Sequence, residues 1–234
     1  MSRFSARHNS ARLLLALPVL ALASCGGNQY GAIVTVPNSV VVADLNGDGA
    51  LDVAVAAAQI DETGLTQKPG LLRVSLNTRS TPGTFAGPVS YVTSGSPPSG
   101  LAVGDLTGTG SHDMVVANLN AGTIAVLMET SPTSGTYAAA QTINVGGQPN
   151  DVQIADINGD GLPDLIIADN LGKVTYLLQN AANPGTFAPG VSLPIANRGI
   201  SVAVGDLNHD GLPDLAVTSF DINGDGGLVT IYFQ

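Results

Sequence analysis

The nine residues Asp44–Asp52 read DLNGDGALD, and three related nine-residue stretches follow along the 234-residue chain. They are DLTGTGSHD from Asp105, DINGDGLPD from Asp156 and DLNHDGLPD from Asp206. Their first aspartates are 61, 51 and 50 residues apart, and a nearly constant period of this length is typical of repeat architectures. We call the four stretches loops 1 to 4 and number the positions within each from 1 to 9.

Each loop is flanked by residues that alternate with a period of two, which predicts β-strands. Before loop 1, Val40 and Val42 point to one face and the small residue Ala43 points to the other. A second apolar run follows each loop, a third follows a glycine, and a fourth follows an aromatic turn such as Pro82–Phe85 (PGTF). Four short antiparallel strands per repeat are typical of propeller blades, so we predict an all-β fold, a β-propeller of four four-stranded blades.

The two ends of the repeat array suggest how such a propeller closes. The fourth repeat reaches Gln234 after its third strand, whereas residues 30–36 (YGAIVTV) have the pattern of an aromatic residue followed by a fourth strand. We predict that this N-terminal strand completes the last blade, because the pairing would remove two exposed sheet edges. An open arc that dimerises, or that needs a partner to close, is the alternative.

The loops have the chemistry of a cation site. Carboxylate and amide oxygens recur at positions 1, 3, 5 and 9, and glycine recurs at position 6, where a sharp turn favours positive φ. Oxygen-only sets rich in carboxylates select hard cations, and flexible cages favour Ca²⁺ over the strictly octahedral Mg²⁺. Position 12 is a strand residue and not the glutamate of an EF-hand, which excludes that motif. The predicted metal ligands are Asp44, Asn46, Asp48, Asp52, Asp156, Asn158, Asp160, Asp164, Asp206, Asn208, Asp210 and Asp214.

Loop 2 departs from this pattern, because Thr107 and Thr109 stand at positions 3 and 5. With two carboxylates left, it is predicted to bind no metal and to be closed by hydroxyl-to-backbone hydrogen bonds, so we expect about three Ca²⁺ ions per chain. The string Asp221–Gly226 (DINGDG) looks like a further site, but its position 9 is Val229 and it falls between a second and a third strand. We predict a solvated turn there.

These features resemble the FG-GAP/VCBS repeat family, which includes the calcium-binding blades of integrin α-subunit propellers. The resemblance rests on the DxNxDGxxD loops, the preceding V-x-V-G/A-D strand and the G-T-F/Y turn, and it covers residues 30–234. It implies a propeller with Ca²⁺ in the hairpin between the first and second strands of a blade. Functions in that family are mostly adhesion or ligand binding.

The N-terminal residues have the composition of an export signal. A basic segment precedes the apolar run Leu13–Ala23, which is too short to span a bilayer comfortably. The following LASC, which ends at Cys25, resembles the lipobox of bacterial lipoproteins, in which the cysteine is acylated and begins the mature chain. An ordinary signal peptide cut nearby, with Cys25 left as a thiol, is the alternative. The predicted organisation is a lipoprotein signal at 1–24, lipidation at Cys25, a tether at 25–29 and the propeller at 30–234, held at the periplasmic face of the outer membrane or at the cell surface.

Charge and cysteine content narrow the class of protein. Eighteen acidic and eight basic residues give a formal net charge of −10, and such an anionic body repels phosphate backbones, which argues against nucleic-acid binding. A single cysteine excludes an internal disulfide and a cysteine-rich zinc site. The sequence contains no G-x-S-x-G elbow, P-loop or zinc signature, so no feature favours catalysis.

The sequence therefore predicts a non-enzymatic binding or adhesion module for a glycan or protein partner. A structural envelope subunit of a larger assembly and a glycan-active enzyme are the alternatives. Long connections between second and third strands vary in length among the repeats, and variable loops are where recognition tends to lie. The predicted partner-binding residues in them are Asp61, Glu62, Gln67, Lys68, Asp221 and Asn223.

Overall fold

The computed structural model describes residues 34–60, 67–81, 83–95, 97–221 and 226–234. Within these ranges the chain forms fifteen β-strands and no helix, so the predicted all-β class is confirmed. The strands are β1 (Val34–Ala43), β2 (Asp52–Ile60), β3 (Gln67–Ser75), β4 (Val89–Val92), β5 (Pro98–Gly104), β6 (Asp113–Asn118), β7 (Thr123–Leu127), β8 (Gln141–Asn144), β9 (Pro149–Ala155), β10 (Asp164–Asp169), β11 (Lys173–Leu177), β12 (Val191–Pro194), β13 (Arg198–Gly205), β14 (Asp214–Phe220) and β15 (Gly227–Tyr232).

The strands form four antiparallel sheets, one for each repeat. Strands β1–β4, β5–β8 and β9–β12 make three four-stranded sheets in sequential order, and β13–β15 make a sheet of three strands. These sheets are the predicted blades, which we number 1 to 4. Each loop joins the first and second strands of its blade, so that its position-9 aspartate begins the second strand, as Asp52 begins β2.

An apolar cluster lies at each of the three junctions between consecutive blades. In the first cluster, Leu72 of blade 1 packs with Met114 and Leu127 of blade 2, and all three side chains are fully buried. The small residues on one face of each first strand admit the next blade, since a Cβ built on Gly104 would lie 3.1 Å from Ile154 Cγ2. The alternation of large and small residues thus sets how closely neighbouring blades approach.

Side-chain hydrogen bonds also link the first strands of successive blades. The donors Asn38, Ser99 and Asn150 reach a carbonyl at the start of the next blade at 2.6, 2.8 and 2.7 Å. Each donor stands six residues before position 1 of its loop. Blade 4 has Ile200 at that place, so its side chain offers no equivalent donor.

The outer faces of blades 1 and 4 are uncovered in the described structure. Val40 and Val42 of β1 are 61% and 56% exposed, whereas Val152, which is equivalent to Val40 in blade 3, is 0% exposed. At the other end, nothing lies within 4 Å of a Cβ built on Gly205. The four blades therefore form an arc whose first and last faces do not pack against each other.

Residues 30–36 were predicted to complete blade 4, and for residues 34–36 this prediction is wrong. Residues 34–36 pair with Ala58–Ile60 of β2, so they begin the first strand of blade 1. Residues 30–33 lie outside the described residues. Among the described residues, blade 4 consequently has three strands.

Chain length gives the physical reason for this correction. Phe85 precedes Pro98 by 13 residues and Tyr137 precedes Pro149 by 12, which is enough for a fourth strand and the turn into the next blade. Tyr30 precedes the equivalent Pro37 by seven residues. Seven residues are too few to form a fourth strand of blade 4 and then turn into β1. Residues 34–36 instead extend β1, because β2 has nine residues and offers them pairing partners.

No helix in the described ranges is long and apolar enough to cross a bilayer. The predicted signal, the acylated Cys25 and the tether lie outside the described residues.

Candidate metal loops and the opposite face

All four loops use their position-1 aspartate in the same way. Its carboxylate accepts the backbone N–H groups of positions 5 and 6, with N···O distances of 2.7–3.2 Å. The position-6 glycine has φ between +80° and +89° in every loop. This conformation is strained for residues with a Cβ, which explains the recurrent glycine.

The position-9 aspartate ties each loop to the third strand of its own blade. It is at most 1% exposed in all four blades. In blade 3, Asp164 accepts the N–H of Ile157 at 3.0 Å and the N–H of Gln179, just after β11, at 2.7 Å. The other three blades repeat both bonds. This carboxylate therefore has a structural role whether or not a metal is bound.

Loops 1, 3 and 4 share further contacts at positions 3 and 5. The position-3 asparagine accepts the N–H of position 5 at 3.0–3.1 Å and donates its amide to the position-5 carboxylate at 2.8–3.5 Å. That carboxylate also accepts the N–H of position 7 at 2.8–2.9 Å. The structure thus joins the predicted position-3 and position-5 ligands directly to each other, on the backbone frame that positions 1 and 9 hold.

Loop 2 keeps the same frame but fills it with hydroxyl groups. Thr107 Oγ1 lies 2.7 Å from Thr109 Oγ1 and 3.1 Å from Ser111 Oγ. Ser111 Oγ in turn lies 3.1 Å from Asp105 Oδ1 and 2.9 Å from Asp113 Oδ2. The prediction of hydroxyl-to-backbone hydrogen bonds is wrong for these residues. Their hydroxyls bond to one another and to carboxylates, while the backbone N–H groups of positions 5 and 6 donate to Asp105.

Two loop carboxylates, which stand at different positions of their loops, have shifted pKa values. Burial raises the pKa of Asp164, and the neighbouring charges of Asp160 and Asp156 raise it further against two backbone hydrogen bonds. For Asp105, burial is outweighed by backbone N–H bonds within its loop and by the hydroxyl of Ser111, so its pKa is lowered. At position 9 of loop 3, two backbone N–H groups therefore do not offset burial and the repulsion from the neighbouring carboxylates.

No three Asp, Glu, His or Cys side chains in the described ranges stand in an arrangement that would hold a metal ion. The carboxylates are turned towards N–H groups of their own loops and towards the position-3 amide. The chemistry of the donor set nevertheless fits Ca²⁺, since each of loops 1, 3 and 4 combines three carboxylates with one amide oxygen on a single hairpin. Binding would require the position-5 carboxylate to exchange its amide contact for the ion.

The face opposite the loops carries a cavity of about 320 Å³ where blades 3 and 4 meet. Phe220 and Leu171 at its rim are 51% and 63% exposed. Amide, guanidinium and carboxylate groups of Asn170, Asn197, Arg198 and Asp221 line the rest of the cavity, so its surface is mainly polar. The lining residues are Asn170, Leu171, Gly172, Ala196, Asn197, Arg198, Phe220 and Asp221.

The structure separates the predicted partner-binding residues. Asp221 lines the cavity. Gln67 and Lys68 do not lie in a loop as predicted, because they belong to β3 and pair with Ile60 and Gln59 of β2. The hairpin is longer than expected because β2 and β3 each extend over nine residues. The predicted residues Asp61, Glu62 and Asn223 lie outside the described residues.

The DINGDG string falls between β14 and β15, as predicted. The N–H of Asp221 donates to the carbonyl of Gly226 at 3.2 Å, which is the bond expected of a turn. Residues 222–225 lie outside the described residues.

Sequence reasoning missed two groups of residues. Phe220 and Arg198 in the cavity do not recur between repeats, so no periodic signal marks them. Asn77, Glu129 and Gln179 do recur, six residues before the glycine of each aromatic turn, and their side chains accept that glycine's N–H at 2.8–3.2 Å. Their constant spacing would have identified them.

Four blades with an acidic hairpin between the first two strands of each define a propeller-type repeat protein. The FG-GAP-like repeat matches residues 44–116, 105–167 and 156–217, which together span more than half of the chain. The chain therefore belongs to the FG-GAP-like repeat family, and the resemblance seen in the sequence is confirmed.

No curated protein matches the chain. Of 47 chains of known structure that resemble it, one belongs to the crystal structure of the exotype rhamnogalacturonan lyase YesX. That match has 13% sequence identity and a TM-score of 0.48, and it covers 80% of this chain. The chain spans 40% of the length of the lyase.

Proposed function

We propose that this protein is a calcium-stabilised, membrane-anchored extracytoplasmic propeller that binds a glycan or protein partner and catalyses no reaction. The cavity opposite the loops is the observation that carries the binding role. Its exposed Phe220 ring stands beside the polar groups of Asn197, Arg198 and Asp221. A concave surface on which several polar groups converge beside an exposed aromatic ring has the groups that a polar ligand would need.

The chemistry of this cavity favours a glycan. An aromatic face can cover the C–H side of a sugar ring, while amide, guanidinium and carboxylate groups can bond its hydroxyls as donors and acceptors. Asn170 and Asn197 offer both kinds of group, and Arg198 offers donors only. A protein partner would use the same exposed ring and charges, and the test below distinguishes the two.

Calcium is proposed for loops 1, 3 and 4, where the asparagine and the three aspartates of each loop would hold the ion. The raised pKa of Asp164, caused by burial and by its neighbouring carboxylates, supports a need for positive charge in loop 3. Bound Ca²⁺ would neutralise these carboxylates. With dissociation constants of about 0.1–1 mM and about 1 mM free Ca²⁺, each site would contribute about 0.4–1.4 kcal/mol to the free energy of unfolding.

The membrane anchor is proposed from the LASC sequence that ends at Cys25. Two or more acyl chains suffice for stable attachment to a bilayer. The absence of catalysis is proposed because the closely spaced carboxylates of the loops are engaged by backbone N–H groups, and because His112 and His209 belong to those loops.

The binding role is tested with Phe220→Ala and Arg198→Ala on a glycan array. We expect each variant to lose retention at least tenfold while its melting temperature stays close to that of the wild type, since both residues lie at the surface. Leu212→Ala, at an exposed position in loop 4 on the other face, is the matched control and should bind normally. If the Phe220 and Arg198 variants retain glycans as well as the wild type does, the cavity is not the binding site. If the protein instead captures another protein and both substitutions abolish that capture, the cavity binds a protein partner.

A structural subunit of a larger assembly is the second candidate, and the uncovered end faces favour it. Each end face exposes two large apolar side chains by more than half. They are Val40 and Val42 in blade 1, and Val229 and Phe233 in blade 4. Apolar faces of this kind mark interaction sites. A reproducible stoichiometric neighbour in pull-downs from the native membrane, lost on Val40→Glu substitution, would support this role.

A further inference from the structure

A cleft of about 260 Å³ opens between blades 3 and 4 on the side that carries the loops. Its lining is mainly apolar and includes Tyr176, Leu178, Leu193, Leu215 and Tyr232. It is separate from the cavity proposed above for a glycan, which lies on the opposite face.

At the other two junctions an aromatic residue fills the equivalent place. Tyr137 of blade 2 is 6% exposed in the cluster between blades 1 and 2, with its ring centre 5.4 Å from that of Tyr91. Phe187 of blade 3 belongs to the cluster between blades 2 and 3. Both residues follow Gly-Thr, at the start of the segment that becomes the fourth strand of the blade.

The repeat register aligns the cleft with these two filled places. The strand pairs that surround the aromatic residue correspond from blade to blade, so each lining residue has a counterpart at both junctions. Leu178 corresponds to Leu76 and Met128, Leu193 to Tyr91 and Ile143, Leu215 to Met114 and Leu165, and Tyr232 to Leu127 and Leu177.

The end of blade 4 also presents the polar group that holds an aromatic turn. In blade 3, the N–H of Gln179 donates to Asp164 at 2.7 Å, and the side-chain Oε1 of Gln179 accepts the N–H of Gly185 at 3.2 Å. In blade 4, the N–H of Gln234 donates to Asp214 at 3.1 Å, and Gln234 lines the cleft. Gln234 therefore stands where it can accept the N–H of a turn glycine.

β15 offers a strand edge beside the cleft. Among the described residues it pairs with β14 on one side only, whereas the equivalent β11 also pairs with β12. A free edge is a template for strand addition, in which backbone hydrogen bonds give affinity and pockets for side chains give specificity.

The backbone conformation of the existing turns indicates which turn can enter. Gly135 and Gly185 of the existing turns have φ of +61° and +81°. A Cβ on Gly185 would lie 2.8 Å from Met128 Cε. The Met128 side chain is flexible and can move away from such an atom, so the positive φ is the reason why a glycine is favoured at this place of the turn.

We propose that the cleft and the free edge of β15 bind an extended segment of a partner polypeptide that contains Gly-Thr-Phe or Gly-Thr-Tyr followed by a strand. The aromatic side chain fills the cleft, the glycine N–H meets Gln234, and the strand pairs with β15 as the fourth strand of blade 4. Residues 34–36 of this chain cannot serve, because they pair with β2.

The test uses the wild-type protein and a fluorescent peptide with the sequence of residues 183–195 (NPGTFAPGVSLPI). Fluorescence anisotropy should show saturable binding of this peptide. Peptides carrying Phe187→Ala or Gly185→Ala should bind at least tenfold more weakly. The first loses the ring that fills the cleft, and the second places a Cβ at a turn position whose φ is positive in the two existing turns. All arms use the same folded protein, so the folding of a protein variant does not enter the result.

Absence of saturable binding, or equal binding of the three peptides, would overturn the proposal. A competition experiment adds a second criterion, in which an unlabelled peptide of residues 26–33 (GGNQYGAI) competes with the labelled peptide. If it displaces the labelled peptide as efficiently as unlabelled 183–195 does, the proposal is overturned, because the cleft would then belong to the chain's own N-terminal segment.

Discussion

Loops 2 and 3 follow the same backbone path with different side chains inside it. In both, the position-1 and position-9 aspartates accept the same four backbone N–H groups. Backbone N–H groups and the Ser111 hydroxyl lower the pKa of the position-1 carboxylate Asp105 in loop 2. In loop 3, burial and two neighbouring carboxylates raise the pKa of the position-9 carboxylate Asp164.

The comparison separates the fold of the hairpin from its proposed metal chemistry. Positions 1, 6 and 9 shape the turn in every repeat, with or without a complete ligand set. Position 5 decides whether the turn carries a third carboxylate, and position 3 decides whether it carries an amide oxygen. A repeat that lacks the asparagine at position 3 and the aspartate at position 5 therefore still forms a blade, as blade 2 does.

The largest expected effect comes from the shared position 9. Asp164→Asn and Asp113→Asn each remove a buried carboxylate that accepts two backbone N–H groups. The amide that replaces it has a single oxygen to accept both bonds. Each substitution should therefore lower the free energy of unfolding by about 2–4 kcal/mol. Urea unfolding in chelator should show similar losses for both variants. In Ca²⁺ only Asp164→Asn should lose further stability, and an equal additional loss in Asp113→Asn would contradict the distinction between the loops.

Asp160→Asn should remove the site of loop 3 while leaving its frame intact. We expect one Ca²⁺ fewer per chain and a calcium-dependent loss of about 1 kcal/mol, with little change in chelator. Isothermal titration calorimetry and unfolding with and without Ca²⁺ measure both quantities. Thr109→Asn at the same position of loop 2 is the matched control, and calcium binding that is unaltered in Asp160→Asn would remove position 5 from the ligand set.

The converse change should build a site in blade 2. Thr107→Asn combined with Thr109→Asp restores the position-3 and position-5 pattern of the other loops, so the double variant should bind one additional Ca²⁺ and gain up to about 1 kcal/mol in Ca²⁺ alone. Elemental analysis of the purified variant counts the ions. A count equal to that of the wild type would show that positions 3 and 5 are not what distinguishes loop 2.

The smallest expected effect concerns the aromatic turn of blade 2. Burial, with the nearby charge of Glu129, raises the pKa of Tyr137, and its hydroxyl is buried without a hydrogen-bond partner. Tyr137→Phe, which copies Phe187 of blade 3, should therefore stabilise the protein by up to about 1 kcal/mol. The gain should be the same in Ca²⁺ and in chelator, because this residue is not part of a proposed site. A loss of stability would show that the hydroxyl has a partner in solution.

The repeat made the blades predictable from the sequence. The fixed period and the alternation around residues such as Val152 and Ile154 place the first strands, and the recurring glycine and aromatic residues place the third and fourth. The same regularity predicts the contents of each loop, because the ligand pattern lies within nine consecutive residues.

Features that depend on a single blade were not predictable in this way. Residues 34–36 alternate like any edge strand, and only the length of β2 shows which sheet they join. Gln67 and Lys68 were predicted to lie in the loop before the third strand, but they belong to β3 because they pair with Ile60 and Gln59. The cavity around Phe220 brings together residues from two blades, and no local pattern records that proximity.

The calcium content of the purified wild-type protein tests the central claim most directly. Elemental analysis after gel filtration in Ca²⁺-containing buffer, with free metal subtracted, should give three Ca²⁺ ions per chain, and chelation should lower the melting temperature. A protein that holds no calcium and melts at the same temperature in chelator would contradict the assignment of cation sites to loops 1, 3 and 4. A protein that holds four ions per chain would contradict the assignment of a metal-independent turn to loop 2.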